Sequence, residues 1–508
     1  MKMLDAAAET LSRISKDCQI VVWGAGGTLD DIINNFREFE FENKISYIVD
    51  SNQKKWNTLK CYYGKEIPIK SPDSFYAEHD ENTVLIIASI YYQKILEQLE
   101  QANVTVACYR TPELKYDFQF EIKQRMEKEP IRDDLIIFKS LPDYTDNARV
   151  LFDYMIRNKM NEKYKLVWAA EDETKLEWMK KYQNVDVYCA SIKKINTDDD
   201  IEKKTEIYYR YFSTAKIFFI THVVDWFRDR KPGQIGFNLW HGNGFKSNKF
   251  AINYKDSFEY TCAVGPLCKE IQRKHFCCDE SKVVITGHPK TDLFFICNVK
   301  KIKKELNIDG YRKVIVWMPT FRRSYKNGLN ENTIDCETGI PVARTFFQLE
   351  QLNNILHDRN MILVIKLHQA QLTEDYTHAL YTNIKVWDSD VLLDRDIQPN
   401  ELLACADALI SDYSSAAVDF LYVDRMMGFA IDDYDEFTKG GRTFLVEPLE
   451  DYLPGYIIKD MDELTEFILD VDNDNDKMEE KRKKLFPQMR TYCDGNSSKR
   501  ILEFLRLE

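Results

Sequence analysis

The sequence lacks the features that would assign it to several common functional classes. None of its 12 cysteines forms a Cys-x-x-Cys pair, which disfavours a zinc site or a redox dithiol and fits free thiols in a reducing cytoplasm. Positive charge is in deficit, since 70 Lys and Arg residues face 83 Asp and Glu residues. The net charge of −13 disfavours nucleic acid as a partner, and no metal or other cofactor is predicted.

Long apolar runs are missing as well. Charges at Asp5, Glu9, Arg13 and Lys16 interrupt the first residues, which therefore do not match a secretory signal. No stretch reaches the roughly 18 uninterrupted apolar residues that a membrane span needs. We expect a cytoplasmic protein whose contact with a membrane, where it occurs, is peripheral and at the inner face.

Apolar runs of strand length alternate with helical patterns along most of the 508 residues. This alternation predicts an α/β protein of about three domains. Two doubly wound units in tandem leave a cleft between them, as in B-type glycosyltransferase folds of two Rossmann-like domains. The predicted division is an extra small N-terminal Rossmann-like domain at 1–111, a linker at 112–133, and two transferase domains at 134–300 and 301–508.

A glycine turn, Gly-Ala-Gly-Gly at residues 24–27, follows the first predicted strand. It resembles a dinucleotide-binding loop, with Asp50 at the end of the next strand where a ribose-binding acid would lie. Leu29 stands where the third glycine of that pattern belongs. The sequence therefore favours a glycine turn in a non-catalytic Rossmann-like domain over a cofactor site.

Two histidine motifs follow predicted strands, at the edge where α/β sheets bind ligands. In Trp240-His241-Gly242, the glycine lets a ligand approach the backbone closely. Lys366 and His368 share one face of a strand end. Taken alone, His241 also fits a packed structural histidine, and the second motif also fits a solvated strand end.

A third segment starts a predicted helix with Ser411, Ser414 and Ser415, followed by Asp419. The free N–H groups of a helix start can hold phosphate, although ordinary capping is the alternative interpretation. Weaker candidates at turns and strand ends are Gly287, Pro319, Thr320, Arg322 and Arg442. The two arginines carry forked donors that suit phosphate oxygens or a solvated surface.

Taken in order, these segments resemble the CDP-glycerol glycerophosphotransferase family, the teichoic acid and capsule polymerases and primases of bacterial cell envelopes. The resemblance covers about residues 135–505. It also includes Tyr144-Thr145-Asp146-Asn147, Ser213-Thr214-Ala215-Lys216, Gly287 to Asp292 and Leu453-Pro454-Gly455. The resemblance implies transfer of glycerol phosphate or ribitol phosphate from CDP-glycerol or CDP-ribitol to a lipid- or glycan-linked acceptor polymer, with release of CMP.

The same resemblance implies roles for individual residues. His241 would be the general base on the acceptor hydroxyl, and His368 would contact the donor pyrophosphate and help CMP leave. The implied donor-binding set is Arg322, Lys366, Ser411, Ser414, Ser415, Asp419, Arg442, Gly287, Pro319 and Thr320. The implied acceptor-side set is Trp240, Gly242 and Asn243.

Some positions depart from the family pattern. Asn243-Gly244 stands where the family commonly has Thr-Pro, and Lys290-Thr291 where it often has Arg-Asn. Basic clusters at 228–231, 300–304 and 481–484 could contact anionic lipid, with a solvated helix face as the favoured alternative. The rival functions are a UDP-sugar-dependent glycosyltransferase or epimerase of the same fold, and a non-catalytic nucleotide-sensing scaffold.

Overall fold

The computed structural model describes most of the chain, in two compact units. The first unit comprises residues 1–130 with 192–214, and the second comprises 131–191 with 215–508. The described residues are 18–35, 40–89, 92–110, 122–123, 125–195, 200–222, 227, 230–247, 257–320, 336–368, 381–439 and 443–508. Half of the predicted linker at 112–133, namely residues 112–121 and 124, lies outside them.

The first unit is built on a six-stranded sheet with apolar packing on both faces. The strands are β1 (Gln19–Trp23), β2 (Ile45–Val49), β3 (Thr58–Tyr62), β4 (Lys65–Lys70), β5 (Thr83–Ile87) and β6 (Ala107–Arg110), in the order β3-β4-β2-β1-β5-β6. β3 and β4 form an antiparallel pair, and the other pairs are parallel. The helices are Gly27–Asn35, Pro72–Glu78, Tyr92–Gln101, Ile192–Ile195 and Ile201–Thr214.

The second unit contains two lobes, each built on one parallel sheet. The first lobe has β7 (Arg132–Lys139), β8 (Lys165–Ala170), β9 (Val185–Cys189), β10 (Ala215–Ile220), β11 (Ile235–Asn238), β12 (Tyr260–Ala263) and β13 (Val283–Ile285), ordered β13-β12-β11-β10-β7-β8-β9. The second lobe has β14 (Lys313–Trp317), β15 (Met361–Lys366), β16 (Ile384–Trp387), β17 (Ala408–Ser411), β18 (Met426–Ala430) and β19 (Tyr456–Ile458), ordered β16-β15-β14-β17-β18-β19.

Both sheets are doubly wound. The strand order reverses between β7 and β10 in the first lobe and between β14 and β17 in the second. Ligands of such sheets bind outside the carboxyl ends of the strands at this reversal. The predicted B-type fold of two Rossmann-like domains, preceded in sequence by a further Rossmann-like domain, is confirmed.

Helices cover the faces of the two sheets. They are Asp146–Arg157, Pro266–Phe276, Leu293–Ile296, Val299–Glu305, Phe346–Asp358, Asp390–Leu393, Pro399–Cys405, Ala416–Phe420, Tyr434–Lys439, Leu449–Tyr452, Met461–Asp472, Glu479–Met489 and Ser497–Phe504. The last helix returns to the first lobe, where Ile501 and Leu502 join the core beneath β7 and β8. Among the described residues, no helix is long and apolar enough to cross a membrane.

Candidate active site

A cavity of about 320 Å³ opens between the two lobes of the second unit. From the first lobe its polar lining comprises Thr145, Asp146, His222, His241 and Lys290, and from the second Lys366, His368, Ser389, Gln398, Asn400, Ser414 and Ser415. Among these described residues, two lysines and three imidazoles face one carboxylate. Two lysines against one carboxylate suit an anionic ligand such as a phosphate ester, and the imidazoles add ring nitrogens that can form hydrogen bonds with it.

His241 reaches this cavity from the loop after β11. The loop departs from ordinary backbone conformation at Trp240, which has a φ of 51°. The side-chain amide of Asn147 donates hydrogen bonds to the carbonyls of Leu239 (3.3 Å) and Trp240 (2.8 Å). Lys290 Nζ donates to the carbonyl of His241 itself at 2.8 Å. These bonds fix the peptide groups on both sides of the His241 Cα atom.

The environment of His241 keeps its imidazole neutral. Its ring stacks on that of His222, with centroids 4.9 Å apart and an angle of 15° between the planes. Desolvation lowers the pKa of His241 well below its ordinary value, and the charges of His222, Lys290 and His275 lower it further. A hydrogen bond with the backbone of Thr221 opposes this shift. A neutral imidazole can accept a proton near neutral pH, which is what a general base requires.

The second lobe contributes a lysine and a histidine from the end of β15. Lys366 Nζ donates a hydrogen bond to Ser389 Oγ at 3.1 Å. Burial lowers the pKa of Lys366 to about 8, although Asp388 raises it. Two residues further along, His368 is exposed and also lines the cavity. The two histidines of the sequence motifs therefore face one cavity from opposite lobes.

Ser414 and Ser415 approach the same cavity at the start of the helix Ala416–Phe420. Gly242, next to His241, lies directly against Ser415. A Cβ atom on Gly242 would stand 2.5 Å from Ser415 Oγ, and the glycine has a φ of 139°. The Trp-His-Gly turn therefore packs across the cleft against the serine segment, Ser414 and Ser415, in a way that only glycine permits.

A buried ion pair joins the lobes beneath these residues. Lys290 Nζ lies 2.8 Å from Asp419 Oδ2, and the side chains are 10% and 4% exposed. Burial alone lowers the pKa of Lys290, but the charges of Asp419 and Asp146 outweigh burial and raise it. Lys290 is therefore a cation in the folded protein.

Several predicted site residues are absent from the cavity lining. Trp240 packs against Phe276, and Gly287 packs against Ser497. Asn243 bonds Gln272 and the backbone of Val264. Pro319 and the buried Ser411 lie at the ends of β14 and β17.

Thr320 N and Oγ1 both donate to the carboxylate of Asp412 at 2.8 Å. This pair ties the segment after β14 to the segment after β17. Two further predicted residues, Arg322 and Arg442, lie outside the described residues. No group of His, Cys, Asp and Glu among the described residues is arranged to hold a metal ion.

Sequence reasoning did not select seven of the polar lining residues, namely Thr145, Asp146, His222, Lys290, Ser389, Gln398 and Asn400. His222 follows β10, so the same strand-end argument that selected His241 would have selected it. Asp146 and Lys290 lie inside motifs on which the family resemblance rests, but no site residue was chosen from 144–147 and only Gly287 was chosen from 287–292. Ser389 carries no sequence signal, because its role depends on the 3.1 Å contact with Lys366.

The chain is similar to known proteins of one family. Residues 121–507 match the family CDP-Glycerol:Poly(glycerophosphate) glycerophosphotransferase. The chain is 24% identical over 399 residues to a teichoic acid glycerol-phosphate transferase of Staphylococcus aureus, covering 73% of this chain and 92% of the relative. It is 22% identical to a teichoic acid poly(glycerol phosphate) polymerase of Staphylococcus epidermidis, covering 74% of this chain but 51% of that polymerase.

Solved structures show the same fold. The structure of the wall teichoic acid polymerase TagF superposes with a TM-score of 0.59 at 18% identity, covering 82% of this chain and 97% of the polymerase chain. The family match excludes the first 120 residues and spans both lobes of the second unit. The chain belongs to the CDP-glycerol:poly(glycerophosphate) glycerophosphotransferase family.

Proposed function

We propose that the cavity between the two lobes transfers a polyol phosphate, either glycerol phosphate or ribitol phosphate, from a CDP-linked donor to a hydroxyl group of an acceptor polymer. The acceptor is a teichoic acid or a related cell-envelope glycan, and CMP is the second product. The observation that supports this proposal is the pairing of a neutral His241 on one lobe with Lys366, His368, Ser414 and Ser415 on the other.

The chemistry assigns a task to each side of the cavity. The acceptor oxygen attacks the β-phosphorus of the donor and forms the new P–O bond, while its proton passes to the imidazole of His241. The P–O bond to CMP breaks, and CMP leaves with the electron pair. Negative charge grows on the bridging and nonbridging oxygens, where Lys366 and His368 can stabilise it.

A decisive assay offers CDP-glycerol, CDP-ribitol and UDP-sugars with a membrane acceptor fraction, and measures release of CMP or UDP. We expect CMP from a CDP-polyol. Release of UDP alone would replace the proposal with sugar transfer, and release of neither nucleotide would favour the scaffold. Because the proposed cations are side chains, we also expect turnover to persist in the presence of a chelator.

The variant His241→Asn tests the base directly. We expect kcat to fall by about 10²- to 10⁴-fold, the usual contribution of a general base, while the donor still binds. CMP release and calorimetric titration with CDP-glycerol measure the two effects. His357→Asn is the matched control, because His357 is exposed on the helix Phe346–Asp358, away from the cavity. Normal turnover in His241→Asn would remove His241 from the mechanism.

Contact with the membrane is proposed to be peripheral, through an acceptor held at the inner face. Of the three basic clusters, the one on the helix Val299–Glu305 exposes Lys300 and Lys304. The cluster at 481–484 differs, since Arg482 is buried against Asp424 and Asp476. Co-sedimentation with anionic and neutral vesicles tests the proposal, and equal recovery with both would contradict an electrostatic contact.

A further inference from the structure

The proposed reaction assigns no role to Lys290, although this residue lines the cavity. It lies on the short 3-10 helix Pro289–Asp292 of the first lobe, and its side chain is 10% exposed. Its Nζ atom donates to the carbonyl of His241 at 2.8 Å and lies 2.8 Å from Asp419 Oδ2. One ammonium group thus contacts the candidate base of one lobe and a carboxylate of the other.

The backbone of Lys290 also supports the His241 loop, through Asn147. The Lys290 amide donates to Asn147 Oδ1 at 2.9 Å, and Asn147 Nδ2 donates to the carbonyl of Trp240 at 2.8 Å. Lys290 is therefore linked to the peptide group before His241 through Asn147, and to the one after it directly. A displacement of Lys290 changes the position of the imidazole.

On the second lobe, Asp419 follows the serine segment by less than two helical turns. The amide of Asp419 donates to the carbonyl of Ser415 at 3.2 Å. Ser415 is also the residue against which Gly242 packs. The carboxylate that receives Lys290 and the serines that line the cavity therefore belong to one short, hydrogen-bonded segment.

The ion pair is sensitive to the position of the lobes because both charges are buried. Removing one partner of a buried pair leaves an uncompensated charge, which is strongly destabilising. The same penalty applies when the lobes shift and Lys290 leaves Asp419. The ion pair therefore favours the one relative position of the two lobes in which His241 faces the serine segment.

We propose that Lys290 is a positioning residue that couples the general base His241 on one lobe to the serine segment 414–415 on the other through Asp419. This role rests on the proposed function, since it specifies how the two halves of that site are held in register. Two of the three hydrogen-bond donors of the Lys290 ammonium are engaged with His241 and Asp419, and the experiment below separates this positioning role from a contact of the third with the CDP-linked donor.

The charge of Lys290 also gives the proposal a spectroscopic signature. Lys290 is one of the groups that lower the pKa of His241, so replacing it with a neutral residue raises that pKa. The other titratable groups that act on His241 or line the same cavity are His222, His275, Asp146, Lys366 and His368. Lys290→Met also leaves the carboxylate of Asp419 unpaired, which favours the protonated imidazole as well, and the double variant with Asp419→Asn separates the two contributions.

The experiment compares the full-length chain with Lys290→Met, Lys290→Arg, and the double variant Lys290→Met/Asp419→Asn. We expect Lys290→Met to lose about 100-fold in kcat, the usual effect of a misplaced catalytic group, with little change in the affinity for CDP-glycerol. Lys290→Arg keeps the charge and should recover much of kcat. The double variant removes both charges, so we expect it to regain thermal stability without regaining kcat.

Titration of His241 by NMR in Lys290→Met gives a readout that does not depend on turnover, and we expect an upward shift of its pKa. Lys459→Met is the control, because Lys459 is an exposed lysine outside this network and outside the three basic clusters. A double variant with normal kcat would overturn the proposal. Lost donor affinity with an unchanged His241 titration would do the same, since it would mark Lys290 as a donor contact. A third outcome is that the wild-type chain releases no CMP while the pKa of His241 still shifts upward in Lys290→Met. That result would count against the proposed function and leave the coupling of Lys290 to His241 standing.

Discussion

Desolvation lowers the pKa of two residues of the cavity, yet the consequences differ. Desolvation lowers the pKa of His241, which leaves the imidazole neutral and able to accept a proton. Desolvation also lowers the pKa of Lys366, to about 8, which places the loss of its charge just above neutral pH. A rise in pH to slightly above neutral therefore leaves the charge state of His241 unchanged, whereas it removes the positive charge of Lys366.

The pH dependence of donor binding follows from Lys366. Below about pH 8 the ammonium is charged and attracts the diphosphate, and as pH rises through about 8 the charge is lost. We expect KM for the CDP-polyol to rise by about tenfold or more above this point, the usual loss of a hydrogen bond to a charged group. Measuring kcat/KM from pH 6 to 10 tests this expectation.

The control is Lys366→Arg, because guanidinium stays charged throughout this range. Its profile should lack the inflection near pH 8. The same inflection in this variant would show that another group titrates there.

At the scale of elements, the site depends on strand ends and on one turn. β11 and β15 deliver His241 and Lys366, while β17 leads into Ser414 and Ser415. Parallel strands end at one edge of their sheet, so residues distant in sequence meet there. The turn after β11 then brings its glycine against the serine segment of the other lobe.

This turn predicts a sharp difference between two neighbouring glycines. Gly242→Ala places a Cβ atom 2.5 Å from Ser415 Oγ in a residue with a φ of 139°, so either the turn or the serine must move. We expect about a 100-fold loss of kcat from the displaced His241. Gly244→Ala is the matched control, since its Cβ would stand 3.5 Å from Ser415, an ordinary contact. Equal activity of the two variants in CMP release would show that the turn does not set the position of the base.

At the scale of the whole second unit, the chain crosses between the lobes more than once. The antiparallel bridge Lys246↔Phe444 and the bond from the Leu445 amide to the Phe245 carbonyl, 2.8 Å long, join the two lobes near the cavity. The last helix, Ser497–Phe504, returns to the core of the first lobe. The lobes are therefore connected by the packing of distant segments as well as by the ion pair of Lys290.

The return of the last helix predicts that stability depends on the end of the chain. Leu502 is 1% exposed in the core of the first lobe, so we expect Leu502→Ala to lower the free energy of unfolding by about 2–5 kcal/mol. Glu503→Ala on the same helix removes an exposed ion pair with Lys499 and should change it by less than about 1 kcal/mol. Thermal and urea unfolding measure both, and equal effects would contradict the packing.

Much of the fold was accessible from the sequence because its central strands are continuous apolar runs. β1, β14 and β15 are almost entirely apolar, in agreement with the apolar runs of strand length in the sequence. The hairpin of β3 and β4 was not predicted, since its residues are charged and largely exposed and so show no apolar pattern.

The sequence by itself determined the α/β class, the doubly wound units, the family resemblance, and the two histidines whose strands end at the cavity. These depend on patterns local in the chain, namely apolar periodicity and residues at strand ends. Only the tertiary structure decided which residues share the cavity, that Asp419 pairs with Lys290, and that Gly242 meets Ser415. Such contacts join segments that are far apart in the chain. Their geometry depends on how the two sheets of the second unit pack against each other.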